Sequence, residues 1–467
     1  MINPIQRRFR LTTDAIDALT GMKRGIEKES LRVTPQGTLA QTLHPLKLGA
    51  ALTHPSITTD FSESLLELIT GPHTSIDSLI EELYDIHQYV YEVLTDELLW
   101  VNSMPCAIQR EEEIPIATYG SSHLGQLKHI YRHGLANRYG RRMQAIAGIH
   151  FNLSYSDVFW QCLHRQQASS QPLQQFISEN YFNIIRNFQR FSWILAYFLG
   201  ASPFVPKHLM SCELPELDCF DQDACVGKTA TSLRLSDTGY NNRAQNKLTV
   251  CYNTLPTYLA TLKKALQTPH PEFQALGITD SEGYKQLNDR FLQIENEYYS
   301  PIRPKRIGQK GERPLIALEQ YGVEYIEVRT IDLNPLEPIG IDKASIQFLD
   351  IFLLTCLSIE SPLLNSADFT TIRANMQAVA VNGCDVTQPL SIFGKTTSQN
   401  LWLEWFFAQM QESAIDLDQA YGGQAYSNVM GQFHSRLLNT ELLPSQQLKA
   451  ALEHHTDSTE HRFLDFT

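Results

Sequence analysis

The sequence predicts an α+β protein built around an antiparallel sheet with one polar and one apolar face. Two observations predict it: short stretches in which apolar and polar residues alternate with period two, as on a half-buried strand, and longer segments with apolar residues at helical spacing. A third sets the organisation. No repeat, low-complexity tract or linker rich in Pro, Gly or Ser breaks the 467 residues, so one compact unit is the simplest arrangement.

Along the chain, Gly25-Ile26-Glu27-Lys28-Glu29 puts two carboxylates on one strand face, and the stretch Ser64 to Thr70 presents Glu67 shortly after Asp60. From Ile76 to Leu98 the residues Ile76, Leu79, Ile80, Leu83, Ile86, Val90 and Leu94 form a helical stripe behind an N-cap at Thr74 or Ser75. In Gly148 to Ser154, Ile149, Phe151 and Leu153 share one face and His150, Asn152 and Ser154 the other. Further helical patterns run from Leu173 to Leu199, Leu255 to Gln267, Ile346 to Ile359 and around Leu401 to Ala420. Lys207 to Gly227 mixes Pro, Cys, Asp and Gly and is expected as an irregular connection or lid. Thr231 to Ser236 reads as another strand, with Ser232, Arg234 and Ser236 opposite Leu233 and Leu235. In Tyr325 to Ile331, Ile326 and Val328 face the core while Tyr325, Glu327 and Arg329 project from the other side. The tail after Leu443, with His454, His455 and His461, reads as a solvated terminal helix.

Composition excludes several classes of function. Hydrophobic residues at 43% and charged residues at 19% are ordinary for a globular protein and too apolar for a disordered chain. With 38 Lys and Arg against 51 Asp and Glu, the formal net charge of −13 repels a phosphate backbone, so no nucleic-acid partner is expected, although one basic cleft for a small phosphorylated ligand is compatible with it. The eight cysteines include no CxxC pair and no zinc spacing. The N-terminus lacks the apolar core of a signal peptide, and the apolar runs around Phe191 to Phe204 and Phe348 to Ile359 are too interrupted to span a bilayer. A cytoplasmic protein with no membrane contact is the expectation.

The polar strand faces carry the functional signal. If the strands share a sheet, one face gathers Glu27, Glu29, Asp60, Glu67, Glu327, His150, Arg234 and Arg329. A solvated sheet face needs no function when it belongs to one strand. Five carboxylates crowded together, however, repel one another and call for cations. Oxygen donors suit a hard divalent ion, Mg²⁺ where nucleotide phosphates are bridged, and a single imidazole leaves Mn²⁺ acceptable. The two guanidinium groups match planar phosphate or carboxylate oxygens. Walker A, GxGxxG, HExxH and GxSxG patterns are all missing, which removes the commonest nucleotide-binding loops and hydrolase signatures. Pro301-Ile302-Arg303-Pro304-Lys305-Arg306 reads as a rigid turn, either solvated or able to meet polyphosphate. Tyr131, Arg132, Arg138, Arg141 and Arg142 lie on a helix whose positive face is either solvated or partly turned to substrate, and Glu111 to Glu113 is a solvated charge run.

Long ordered blocks resemble the proteobacterial type of glutamate–cysteine ligase: GIEKESLRV at 25–33, HPLKLGAALTHPSITTDFSESLLELIT at 44–70, YGSSHLGQLKHIYRHGLANRYGRRMQAIAGIHFN at 119–152, TSLRLSDTGY at 231–240, LQIENEYYSPIRPKR at 292–306 and GVEYIEVRTIDLNP at 322–335. The resemblance covers residues 20–350, and within 351–467 it is confined to fragments such as YGGQAYSNV. It implies a single catalytic domain over 1–467 with a glutamine-synthetase-like fold, in which a curved antiparallel sheet forms a funnel-shaped site surrounded by helices. The implied reaction is ATP-dependent ligation of the γ-carboxylate of L-glutamate to the amine of L-cysteine by a monomer. By position, Glu27, Glu29, Asp60, Glu67, His150 and Glu327 are implied metal ligands. Arg234 and Arg329 are implied to act on the substrate carboxylates or the transferred phosphoryl group. Phe61, Tyr131, Gln144, Asn152, Tyr240 and Tyr299 are implied to line the amino-acid pockets, and Arg132, Arg303 and Lys305 to meet the nucleotide. Two alternatives stay open: another amine acceptor, or a catalytically silent metal-binding relative.

Overall fold

The computed structural model describes residues 5–210, 217–239, 248, 250–453, 463–464 and 466. The strands are β1 (Lys23–Val33), β2 (Ile57–Thr59), β3 (Leu65–Ile69), β4 (Leu98–Leu99), β5 (Ile149–Ser154), β6 (Phe204–Pro206), β7 (Leu217–Cys219), β8 (Ala224–Gly227), β9 (Thr279–Asp280), β10 (Gly283–Tyr284), β11 (Ile302–Lys305), β12 (Tyr325–Ile331), β13 (Pro389–Ile392) and β14 (Lys395–Ser398). The helices are α1 (Thr13–Asp17), α2 (Ile76–Val93), α3 (His123–Tyr139), α4 (Asp157–Gln166), α5 (Leu173–Phe191), α6 (Trp193–Leu199), α7 (Leu255–Gln267), α8 (Pro271–Leu276), α9 (Pro314–Tyr321), α10 (Lys343–Ser358), α11 (Ser366–Asn382), α12 (Gln399–Tyr421), α13 (Ala425–Leu438) and α14 (Pro444–Glu453).

The main sheet runs β11-β12-β5-β1-β3-β2, with β4 on the far end of β1, and its paired strands are antiparallel. Strand alternation therefore sorts side chains by face. Ile26, Phe151, Val328 and Ile302 stand in one cross-strand row and are all buried. The helices supply the other half of that core. In α2 the Ser75 hydroxyl accepts from the Ser78 amide at 3.3 Å, which caps the helix and aims the buried stripe Ile76, Leu79, Leu83, Ile86 and Val90 at β1 and β3. α5 packs on β11 and α6 on β12, and α10 is buried from Ile346 to Ser358. The apolar runs are thus core elements, as expected, with a one-residue interruption at Ser192 between α5 and α6.

Four details depart from the expectations. Thr231 to Ser236 is not a strand; Leu233–Leu235 is one 3₁₀ turn. Within Pro301 to Arg306, Ile302–Lys305 is an edge strand rather than a turn, its Pro304 tolerated because an edge strand can spare a ladder donor. The described part of Lys207 to Gly227 contributes β7 and β8 to a small sheet ordered β6-β8-β7. Finally, the reverse face of β1 is not purely apolar, since Arg24, Lys28 and Arg32 point into it and are buried. The tail histidines His454, His455 and His461 lie outside the described residues.

Candidate active site

Register builds the site. Across the central strands Glu27 stands opposite His150, Glu29 opposite Glu67, and Glu327 between Asn152 and Arg303. The same-face rule then carries all of these side chains to the polar surface. His150 Nδ1 lies 3.0 Å from Glu27 Oε2 and 3.8 Å from Glu327 Oε1, and its Nε2 lies 3.6 Å from Glu29 Oε1. The carboxylate at 3.0 Å assigns the Nδ1 proton toward Glu27. Asn152 donates to the other Glu27 oxygen at 2.9 Å. One ligand atom each from Glu27, His150 and Glu327 falls within 4.8 Å of the others, a spacing that one cation can bridge. The donor set is hard and oxygen-rich, and Glu327 Oε2 is a buried carboxylate oxygen without a hydrogen bond. The residues therefore fit a divalent cation.

Charge is distributed unevenly over this face. Burial works to raise Glu327, but Lys305 at 3.1 Å, Arg329 at 3.3 Å and Arg303 at 3.9 Å hold it well below the usual carboxylate range. Burial also works to raise Glu27, yet the His150 hydrogen bond and the Lys305 charge keep it lowered. At the opposite end the opposing charges are too weak to compensate. Burial and then Asp60 raise Glu29 against the opposing pull of His150, Arg329 and Arg234, while burial, Glu27, Asp60 and Glu29 push Glu67 well up. One end of the site is prepared for anions, and at the other Arg329 and Arg234 do not offset burial and the neighbouring acids.

That imbalance gives a stability prediction. A carboxylate whose folded pKa is raised contributes its full stability below the unfolded pKa of about 4.3 and loses it as pH climbs through the folded value. Glu67→Gln is therefore expected to raise the thermal midpoint of the metal-free protein at neutral pH, with the gain shrinking toward acid, and to weaken metal binding. A midpoint at or below that of the wild type at neutral pH would contradict this.

The sequence profile described as glutamate-cysteine ligase matches residues 10–379 of this chain. The chain belongs to the glutamate–cysteine ligase family. It is 48% identical to the glutamate–cysteine ligase of Alcanivorax borkumensis over 95% of this chain and 85% of that protein. It is 44% identical to the Bordetella bronchiseptica enzyme over 99% of this chain and 87% of that protein. A crystal structure of the Francisella tularensis glutamate–cysteine ligase in complex with AMP superposes with a TM-score of 0.90 at 35% identity, covering 98% of this chain and 88% of that one. The glutamine-synthetase-like ligase fold follows from this match, in keeping with the antiparallel sheet and its surrounding helices.

The residues implied by this family are placed as follows. Glu27, Glu29, Glu67, His150, Asn152, Glu327 and Arg329 converge on the polar face, with Arg303 and Lys305 at its β11 edge. Burial opposes the Arg329 charge, and Glu327, Glu29 and Glu27 restore and strengthen it; its Nε has no hydrogen-bond partner. Asp60 sits between β2 and β3, electrostatically coupled to Glu29 and Glu67. Arg132 donates to the backbone carbonyls of Thr59, Asp60 and Lys128, and so holds Asp60 in place. Tyr119 assists from beneath, its ring under Arg132 and its hydroxyl on the Thr59 and Asp60 carbonyls. Phe61 is enclosed in the core at 1% exposure, and Gln144 lies in the 3₁₀ turn Arg142–Ala145. Tyr131 is on α3 and Tyr299 is coupled to Arg329. Tyr240 lies outside the described residues. Arg138 forms a buried pair with Glu297 at 2.9 Å, a scaffold contact rather than a substrate-facing charge. Sequence patterning missed Tyr119, because it acts through Arg132 and the Thr59 and Asp60 carbonyls, neighbours that only tertiary structure supplies.

Proposed function

We propose that the protein uses ATP to join the γ-carboxylate of L-glutamate to the amine of L-cysteine, the first step of glutathione synthesis. The convergence of Glu27, His150 and Glu327 beside Arg329 and Lys305, in a chain of this family, carries the proposal. A carboxylate is a poor electrophile. Its oxygen first attacks the γ-phosphorus of ATP, releasing ADP and leaving a γ-glutamyl phosphate; the amine of cysteine then attacks the acyl carbon and inorganic phosphate departs.

The chain's own groups divide this work. Arg303 and Lys305 at the sheet edge, with Arg329, gather the phosphate charge, and the unpartnered Arg329 Nε offers a buried donor to a transferring oxygen. Asn152 and His150 lock the Glu27 carboxylate in one rotamer, so its charge is pre-aimed. Glu27, Glu29, Glu67, His150 and Glu327, with Asp60 adjoining, would hold Mg²⁺, or Mn²⁺ in its place. When bound, the ion supplies neutralisation between phosphate oxygens and glutamate carboxylate.

ADP release measured with Mg²⁺, glutamate and a panel of amines tests the proposal. Cysteine is expected as the preferred acceptor, with 2-aminobutyrate slower. ADP release independent of glutamate, or preference for an unrelated amine, would overturn it. Arg329→Lys should cost more than about tenfold in kcat/KM, roughly 1.4 kcal/mol, because a point charge replaces a forked donor. A smaller loss would remove Arg329 from the reaction.

A further inference from the structure

Behind Arg234 lies a buried acidic group that neither strand alternation nor the polar face predicts. Asp332 follows β12 directly and is 2% exposed. Both of its oxygens are occupied: Oδ1 lies 3.4 Å from Arg234 Nη1, and Oδ2 accepts the Ala201 amide at 2.9 Å. The Arg234 guanidinium is fixed a second time, by Nη2 donating to the Arg329 carbonyl at 3.1 Å. That carbonyl is available because the β12 register shifts between Val328 and Ile331, where the strand bulges against β5. The turn bearing Arg234 is anchored to the same junction. Ser202 bridges Ser232, and the Leu233 amide donates to the Ser202 carbonyl at 2.7 Å, one residue beyond the amide that Asp332 accepts.

Gly148 completes the arrangement. A Cβ built at Gly148 would stand 2.0 Å from Arg234 Nη2, so the guanidinium occupies the space of the missing side chain. The Gly148 amide donates to Glu29 Oε2 at 2.9 Å, and its carbonyl accepts the Glu29 amide at 3.0 Å. Arg234 is thereby set against the acid-rich end of the site, where its charge acts on Glu29.

We propose that Asp332 is a positioning residue for Arg234, and that glycine at 148 is required as the slot for that guanidinium. A free arginine in this position would collapse onto Glu29. Anchored from behind by Asp332 and the Arg329 carbonyl, it keeps its remaining donors for a substrate oxyanion. The proposal rests on Arg234 taking part in the reaction, so the experiment separates the two.

Steady-state kinetics of Arg234→Lys, Asp332→Asn, Gly148→Ala and the Arg234→Lys/Asp332→Asn double variant, with thermal midpoints, make the test. Asp332→Asn keeps an oxygen for the Ala201 amide but loses the charge facing Arg234. It should change the same kinetic parameter as Arg234→Lys, kcat or the KM of one substrate, by at least tenfold. Gly148→Ala, which displaces the guanidinium while leaving Asp332 and its Ala201 contact unaltered, should follow the same pattern. The double variant should be no slower than the worse single one. Wild-type kinetics for Asp332→Asn beside an impaired Arg234→Lys would overturn the positioning role, as would losses that multiply in the double variant. An impaired Asp332→Asn beside a normal Arg234→Lys would overturn the part given to Arg234, and with it the proposal. If Asp332→Asn does not fold, Gly148→Ala decides: a profile unlike that of Arg234→Lys rejects the slot.

Discussion

Glu27→Gln and Glu327→Gln are each expected to lower kcat by more than about 100-fold, beyond the roughly 10–100-fold lost when only a partner of a metal ligand is removed, while the protein remains folded. Their side chains belong to the polar face, and the apolar rows that hold the sheet together lie on the other side. The two variants should nevertheless differ. Glu27 receives hydrogen bonds from His150 and Asn152, and Gln can keep the second but turns a donor toward one of the two. Glu327 is the shared counterion of Lys305, Arg329 and Arg303. Neutralising it leaves three buried or half-buried cations together, so Glu327→Gln should be the less stable variant and the one rescued more strongly by added phosphate or sulfate. Near-normal turnover at saturating Mg²⁺ in either variant would remove that residue from the site. Equal midpoints for the two, unmoved by phosphate, would refute the counterion role.

The catalytic face was largely legible in the sequence because it depends on alternation, which is local. Tyr325–Ile331 forms a strand with the bounds read from the residues, and Leu255–Gln267 a helix with the same ends. What alternation cannot supply is register, and register is what brings Glu27 to His150 and Glu29 to Glu67. Arg234 shows the limit. Six alternating residues fit a strand as well as they fit an irregular turn, and the 3₁₀ turn at Leu233–Leu235 is imposed by Ser202 and by the Arg234 contacts. At β11 the two prolines suggested a turn, although Ile302 and Pro304 are buried and Arg303 and Lys305 alternate with them, the pattern of an edge strand. Arg132 was legible only as one basic residue of a helix face either solvated or turned to substrate; that it clamps the Asp60 carbonyl requires α3 to be docked.

The region beyond residue 350, which the curated relatives also match, has its clearest role in what it does to β1. Arg24 and Asp350 are both fully enclosed, and the pair closes at 2.7 Å on the reverse of the sheet. Arg24 also donates to the Met22 and Thr74 carbonyls and to the Tyr421 hydroxyl, and the Tyr426 hydroxyl donates to Asp350. The start of the strand carrying Glu27 and Glu29 is thereby tied to α10, α12 and α13. Burial raises Asp350, and Arg24 and Tyr426 oppose that rise by holding the charged form. Asp350→Asn would strand a guanidinium in the core, and the expected loss is about 3–5 kcal/mol of unfolding free energy, measured by denaturant titration, with kcat per folded molecule little changed because the site faces away. Replacing both partners at once, Arg24→Met with Asp350→Leu, should recover most of that loss, since an apolar pair avoids the desolvation that the ions carry. A loss below about 1 kcal/mol in Asp350→Asn, the scale of an exposed ion pair, would show that water reaches the pair and that the C-terminal helices do not secure β1 through it.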